Sequence, residues 1–533
     1  AWNSTSLSLT MSTCDDRGVG YAYYQSMKNH GKKTAQFDVV TKKEQSFEEL
    51  LQRCIGAALA IEDAGLKPGD FVTTCSLNHL DVCVPYLASL FTGTISASVE
   101  ATMPAQEIVY LLNEVGPKII FVGPEAVEVV EEAVEKLDTK PLIVVFGDTG
   151  CYPSFSDFIA PFSGENAFRP RIPESLEETA LVLFSSGTTG LPKGICHTHR
   201  SMLANSEYWI VDDCSTAAWF TTPYWSTFYL NLHMCIRNGL CRVLLPPFDK
   251  NNPWSVLEHK IDFLLSNPLQ ALAFTKQSPR DNVDLGNLFR FTFAGYGLPE
   301  AHILELRKKF PKSELVNVYG QSEFFGVPFQ FPCDSRGLRL SRKYPTSAGT
   351  PKSHISWKIV DLETGKPLGP NQQGELLIKA DFQCKGYHNR DSSEVFDSEG
   401  YVKTGDIAYY NEEMCFFIVN RIKESFKYQG IHIIPSEIEA VLQSHPSVAR
   451  VVVVGLPHET DGNHPMGVVV LNDKAGKVCE GELLKFIEDR VEDKNRLRGG
   501  VTFVKKLPLT VTEKLNRFKL TQLVLSNQLH LLN

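Results

Sequence analysis

Short β-branched or aromatic runs alternate with amphipathic stretches through the first four-fifths of this chain, and no other feature restricts its fold as much. The amphipathic stretch 47–64 leads through Pro68-Gly69-Asp70 into the apolar run 71–75. Runs of the same kind recur at 118–123, 141–147, 180–184 and 241–245, each bounded by Gly, Pro or polar residues. Strands separated by helices must cross over to reach their neighbours, so the pattern predicts an α/β fold of parallel-rich sheets covered by helices.

The pattern changes twice toward the C-terminus. From 355 to 378 it becomes strand-rich, with turn signals at Glu363-Thr364-Gly365 and Gln373-Gly374, which predicts a β-rich subdomain. Beyond Arg421, residues 436–442 read as a short helix, 448–454 as a buried strand and 480–491 as an amphipathic helix, enough for a small α+β module. At 533 residues the chain exceeds a single core, and the boundary is expected at Asn420-Arg421: a large domain over 1–420 and a small mobile one over 421–533.

With 53 Lys+Arg against 62 Asp+Glu and no dense basic cluster, nucleic acid is not an expected partner. The 13 Cys lack the spacing of a zinc site and the density of a disulfide scaffold, which suits a reducing compartment. No apolar run approaches the ~20 residues that cross a bilayer. Without a signal-peptide pattern, and with Leu531-Leu532-Asn533 in place of a peroxisomal Ser-Lys-Leu, a cytoplasmic location is expected. Met11 reads as a more ordinary protein start than residues 1–10 do.

Chemistry is concentrated first in Ser185-Ser186-Gly187-Thr188-Thr189-Gly190-Leu191-Pro192-Lys193-Gly194, which follows the run 180–184. Gly187, Gly190 and Gly194 allow a phosphate to approach the backbone, the four hydroxyls of Ser185, Ser186, Thr188 and Thr189 can donate, and Lys193 adds a point charge. The spacing of a Walker loop is absent.

This segment resembles the signature of the adenylate-forming superfamily, which includes acyl-CoA synthetases, 4-coumarate–CoA ligases and insect luciferases, and the resemblance extends over nearly the whole chain. Tyr319-Gly320-Gln321-Ser322-Glu323 is similar to the family's Tyr-Gly-x-Thr-Glu. There the resemblance implies that Tyr319 packs on adenine, that the Ser322 hydroxyl meets phosphate and that Glu323 holds Mg²⁺. Thr404-Gly405-Asp406 looks like the segment whose Asp accepts from both ribose hydroxyls, and Arg421 would add a sugar or phosphate contact. Lys514 aligns with the family's C-terminal lysine, and Asn420 with its hinge Asp. The resemblance therefore implies ATP and Mg²⁺ as cofactors and a small carboxylic acid as substrate. Its catalytic set is Lys514, Thr189, Lys193 and Glu323. Closure of the small domain would bring Lys514 in and keep water from the acyl-adenylate.

Departures from the family pattern fall on the acid side and on the second half-reaction. Pro223-Tyr224-Trp225-Ser226-Thr227-Phe228 stands where relatives carry pocket histidines, making Trp225, Ser226 and Phe228 expected pocket residues. Gly295-Tyr296-Gly297 places a phenol on what is usually a small pocket floor. Gln429, before Gly430, replaces a lysine of the conformation that follows adenylation, and Glu513 replaces a glycine. The leading reading is an acid–CoA ligase with CoA as acceptor. The alternative is an insect luciferase that adenylates a non-beetle luciferin and oxidises it with O₂. A non-catalytic ATP- or lipid-binding scaffold stands third.

Overall fold

The computed structural model describes residues 16–148, 150–160, 165–185, 192–204, 214–279, 285–295, 297–332, 334–352, 355–472, 478–509 and 515–533. These form two compact units. The first holds the described residues up to Ser185 with Pro192–Ser356 and Lys379–Val402; the second holds Trp357–Ile378 and Lys403–Asn533.

Two seven-stranded sheets and the short strand pair Phe329–Gln330 and Thr350–Pro351 lie in the first unit. One runs in the order Glu314–Val318, Arg290–Ala294, Phe263–Ser266, Thr216–Trp219, Cys241–Leu244, Thr34–Asp38, Glu44–Ser46, and all its pairings are parallel except the last. The other runs Gly386–Tyr387, Gly194–Thr198, Thr179–Phe184, Ile95–Ser96, Phe71–Cys75, Ile119–Val122, Leu142–Val145. Its last five strands are parallel, as the alternation predicts. Strand Gly194–Thr198 runs antiparallel to both of its neighbours.

Helices Val19–His30, Phe47–Asp63, Val84–Thr92 and Ser226–Asn238 pack on one another and touch strands of both sheets, forming a shared middle layer. The second of these starts where Ser46 and Glu49 close a reciprocal cap: the Glu49 N–H donates to Ser46 Oγ at 3.2 Å and the Ser46 N–H to Glu49 Oε2 at 2.7 Å. Such a cap contributes about 1 kcal/mol. Its buried face, Phe47, Leu50, Leu51, Cys54, Ala58 and Ile61, follows the helical spacing of the sequence. Gly20 is required where Val19–His30 crosses Val84–Thr92, because a Cβ there would lie 2.1 Å from the Leu90 carbonyl oxygen. Outside the layer, Ile108, Leu111, Val130 and Ala133 cover Ile120 and Val145 of one sheet, while Trp254, Phe274 and Phe310 cover Phe291 and Leu315 of the other.

In the second unit, strands Ile355–Val360, Gly374–Ala380, Val402–Tyr410 and Phe416–Arg421 form a four-stranded sheet. A five-stranded sheet is built on the long hairpin Val448–His458 and Gly462–Leu471. Alternation divides its two cores: Val451 and Val453 meet helices Pro435–Gln443 and Glu480–Glu488, while Val452 and Val454 meet Leu520 and Leu523 of helix Arg517–Leu525. The boundary expected at Asn420-Arg421 falls inside this unit, because Val402–Tyr410 pairs along Phe416–Arg421 and ties 403–420 to the residues on both sides of that point. The described cysteines are free, and no helix among the described residues is long and apolar enough to cross a membrane.

Candidate active site

Open parallel sheets present their chemistry where strands end at the carboxyl edge, since the loops there are free of the ladder. In the first unit the expected segments collect at such ends. Gly295 follows strand Arg290–Ala294 and takes a positive φ of 117°. Tyr319 follows the adjacent strand Glu314–Val318, with Ala294 and Val318 in register, and the Trp225 segment follows Thr216–Trp219 of the same sheet.

The phosphate-loop ends are held by a hairpin, where the sequence suggested only a strand leading into a turn. Phe184 pairs with Gly194. Below that pair the Ser185 N–H donates to the Lys193 carbonyl at 2.9 Å, and the Lys193 N–H to Ser185 Oγ at 3.3 Å. Outside the hairpin, Tyr110 donates to the Pro192 carbonyl at 3.1 Å, and Arg390 joins Tyr110 to Glu114 at 2.7 and 2.8 Å. Ser186, Gly187, Thr188, Thr189 and Gly190 lie outside the described residues, as do Tyr296, Glu513 and Lys514.

Lys193 and Glu323 both act on Tyr387. The Lys193 ammonium lies 4.7 Å above the Tyr387 ring centroid and 3.1 Å from Glu394 Oε2. Burial, and after it the Glu323 charge, raise both the Tyr387 phenol and the Cys384 thiol above their ordinary values. His197, on the strand after the loop, donates from Nε2 to the Ser322 carbonyl at 2.7 Å, and Cys384 N–H donates to the Glu323 carbonyl at 2.7 Å. Motifs more than a hundred residues apart are thereby fixed against one another within one unit. Tyr319 sits 6.0 Å from the Phe329 ring, and a Cβ on Gly297 would meet open space.

In the segment expected to line the acid pocket, Trp225 Nε1 donates to Glu100 Oε2 at 3.1 Å, and the Thr222 hydroxyl donates to the same oxygen at 2.7 Å. Burial raises the Glu100 carboxyl, and these two donors oppose it. Ser226 opens helix Ser226–Asn238 and is half-buried. Phe228 is fully buried, beneath the guanidinium of Arg242 at 4.9 Å.

In the second unit Asp406 and Arg421 are cross-strand partners, so motifs fifteen residues apart in sequence meet face to face. Asp406 is 3 % exposed, and its Oδ1 lies 2.7 Å from Arg421 Nε. Thr404 hydroxyl accepts from the Asp406 N–H at 3.1 Å and donates to the Leu376 carbonyl at 2.6 Å, fixing the turn through Gly405 at φ 67°. Burial raises the nearby Glu375 carboxyl, against a hydrogen bond from the Gly405 N–H. Asn420 pairs with Ile407 in the same ladder, and Gln429 and Gly430 turn with φ of 48° and 79°.

Sequence reading missed several residues of this framework. Glu100 and His197 carry no spacing signal that separates them from ordinary core polar residues. Arg517 lies between Glu424 and Glu439, 3.0 and 2.7 Å away; only Glu424, inside Asn420-Arg421-Ile422-Lys423-Glu424, had a motif to mark it.

Three buried imidazoles in the first unit predict acid sensitivity. His197 and His199 are lowered to about 4 and His233 to about 3, chiefly by burial. Unfolded, each protonates near about 6.5, so the unfolded chain binds more protons below that pH. Their neutral forms stabilise fully above about 6.5, and each loses about 1.4 kcal/mol per pH unit as pH falls toward the folded value. Urea midpoints should drop steadily between neutral pH and about 4.5, less steeply in His197→Leu. A flat profile would contradict the assignment.

The chain matches the family model described as AMP-binding enzyme over residues 23–388 and the AMP-binding enzyme C-terminal domain over 437–514. It is 30% identical over 502 residues to a luciferin 4-monooxygenase of Photuris pensylvanica, covering 91% of this chain and 90% of that protein. It is also 30% identical over 509 residues to the probable 4-coumarate–CoA ligase 3 of Dictyostelium discoideum, with 90% of each covered. The crystal structure of ATP-bound MatB from Rhodopseudomonas palustris shares the fold at a TM-score of 0.84 and 21% identity, covering 96% of this chain and 99% of that one. Since the larger family model spans more than half of the chain, the protein belongs to the adenylate-forming AMP-binding enzymes, the family of luciferases and 4-coumarate–CoA ligases.

Proposed function

We propose that the protein is an acid–CoA ligase. A substrate carboxylate oxygen attacks the α-phosphorus of ATP and pyrophosphate leaves; the CoA thiol, giving up its proton, then attacks the acyl carbonyl and AMP leaves. The observation that carries the reading is that Lys193 lies over Tyr387, whose phenol the Glu323 charge also reaches, while His197 holds the Ser322 carbonyl beside Glu323. A cation, a hydroxyl segment and a carboxylate brought together from the ends of two sheets are what a polyphosphate and its metal need.

In this reading Lys193 and the loop hydroxyls, Thr189 among them, hold the β- and γ-phosphates, and Tyr319 supports the adenine. Asp406 is the ribose acceptor: its aspartate oxygens are fixed by Arg421 and by a strand ladder, so little reordering is needed on binding. Glu323 suits Mg²⁺, which binds proteins through one or two carboxylates and, when present, offsets charge on the phosphates. Lys514, in the C-terminal part of the chain, reaches the reacting phosphate and stabilises the charge that builds there. Trp225, Ser226, Tyr296 and the glycines beside it shape the acid pocket, with Trp225 held by Glu100.

Pyrophosphate exchange into ATP, measured across a panel of aromatic and aliphatic carboxylic acids, tests the first half. At least one acid should stimulate exchange well above the acid-free rate; an ATP-binding protein that exchanges with none of them is not an adenylating enzyme. Similarity to a luciferin 4-monooxygenase supports a second reading, in which O₂ rather than CoA completes the reaction. With an active acid in hand, a thioester detected by mass after CoA is added supports the ligase. Light emission in air without CoA supports the luciferase.

A further inference from the structure

We propose that His458, Asp461 and His464 form a binding site for a divalent transition-metal ion of the zinc class, on the rim of the second unit. The site grows out of strand register. His458 pairs with Gly462 and Leu456 with His464 across the hairpin, so the two histidines are diagonal neighbours on one face, with Asp461 in the connecting turn. Their rings stack at 3.9 Å between centroids and 18° between planes. Asp461 Oδ2 lies 2.8 Å from His464 Nε2 and 3.4 Å from His458 Nδ1.

The chemistry and dimensions suit an ion. One ligand atom from each residue falls within 4.8 Å of the other two. Tetrahedral zinc with bonds of about 2.0–2.1 Å holds its ligand atoms about 3.3 Å apart, so only small side-chain shifts are required. Two imidazoles with one carboxylate match the donor preference of zinc, copper and nickel over that of calcium or magnesium. The side chains of His458, Asp461 and His464 are 42%, 23% and 19% exposed, leaving room for entry and for a water ligand.

Support from behind is also built. Gln429 Nε2 donates to Asp461 Oδ1 at 3.0 Å, leaving Oδ2 toward the imidazoles, and the Gln429 N–H donates to the Asp461 carbonyl at 2.7 Å. Outer partners of this kind orient a ligating carboxylate and typically change affinity 10–100-fold, by order of magnitude. An ion here would tie the 458–464 hairpin to the Gln429-Gly430 turn. Within this chain, then, Gln429 acts as an outer partner of a metal-binding carboxylate.

Titration of the full-length, metal-free chain with Co²⁺ and Zn²⁺ tests the site. Expected is one equivalent of Co²⁺ with visible d–d bands and no thiolate-to-cobalt charge transfer, displaced by Zn²⁺. His464→Ala and His458→Ala should each weaken binding at least tenfold, and Gln429→Ala by a smaller factor. Circular dichroism of the metal-free variants checks folding; if His464→Ala does not fold, His458→Gln at the more exposed position reads the same loss. Absence of saturable binding at millimolar metal overturns the proposal. So does binding that carries a thiolate band and survives the histidine substitutions, because it belongs to the cysteines.

Discussion

Lys514→Ala is expected to slow acyl-adenylate formation by about 10²–10³-fold while leaving the dissociation constant for ATP within a few-fold of the parent. The reason is differential binding. In the proposed reading Lys193, the loop hydroxyls, Tyr319 and Asp406 grip ATP in the ground state, and the substitution touches none of them. Charge on the α-phosphate grows only as the acid attacks, and a cation directed there acts on the rate rather than on affinity. On either side of Lys514 in the sequence, Leu509 and Leu515 form a bridge, and the Asn516 N–H donates to the Pro508 carbonyl at 2.9 Å. Single-turnover adenylation with a saturating active acid, beside equilibrium ATP binding, separates the two quantities. Equal losses in both would make Lys514 a ground-state ATP ligand.

Lys193→Ala provides the internal contrast. Its ammonium lies at the base of the hairpin over Tyr387, so its removal should raise the ATP dissociation constant as well as slow the chemistry.

Elements with periodic burial were legible in the sequence. The helix from Phe47 was visible because its apolar residues recur at helical spacing, and Phe71–Cys75 because an apolar run follows Pro-Gly-Asp. The antiparallel strand Gly194–Thr198 was not, since a buried five-residue run has the same pattern in either sheet direction. That one direction brings the two ends of the expected phosphate segment, Ser185 and Lys193, together in hydrogen bonds. The same limit applies to Asp406 and Arg421. Each was visible in a motif, but their pairing is a matter of register, which composition does not encode. His197 and Arg517 lacked any local mark, because their partners lie 125 and 78 residues away.

Arg517 carries the largest expected effect on stability. Its guanidinium meets Glu424 at 3.0 Å, Glu439 through both terminal nitrogens at 2.7 Å, and the Val453 carbonyl at 3.2 Å, with its side chain 18% exposed. Removing one member of a buried charged group costs about 3–5 kcal/mol, because the remaining charges keep their desolvation without the partner that offset it. In a unit of this size Arg517→Ala should therefore lower the second unit's melting temperature by about 6–20 °C. Burial already raises the Glu424 carboxyl, with Arg517 the first of the opposing influences. Without the arginine the Glu424 carboxyl loses that opposing influence, and a carboxyl raised on folding stabilises only below its unfolded value of about 4.3. The deficit should then shrink as pH falls toward that value and be largest near neutrality. Combining Arg517→Met with Glu424→Gln and Glu439→Gln should recover most of the loss, since no unpaired charge is left buried. A triple variant as unstable as Arg517→Ala would locate the cost in lost packing of the arginine stem rather than in stranded carboxylates.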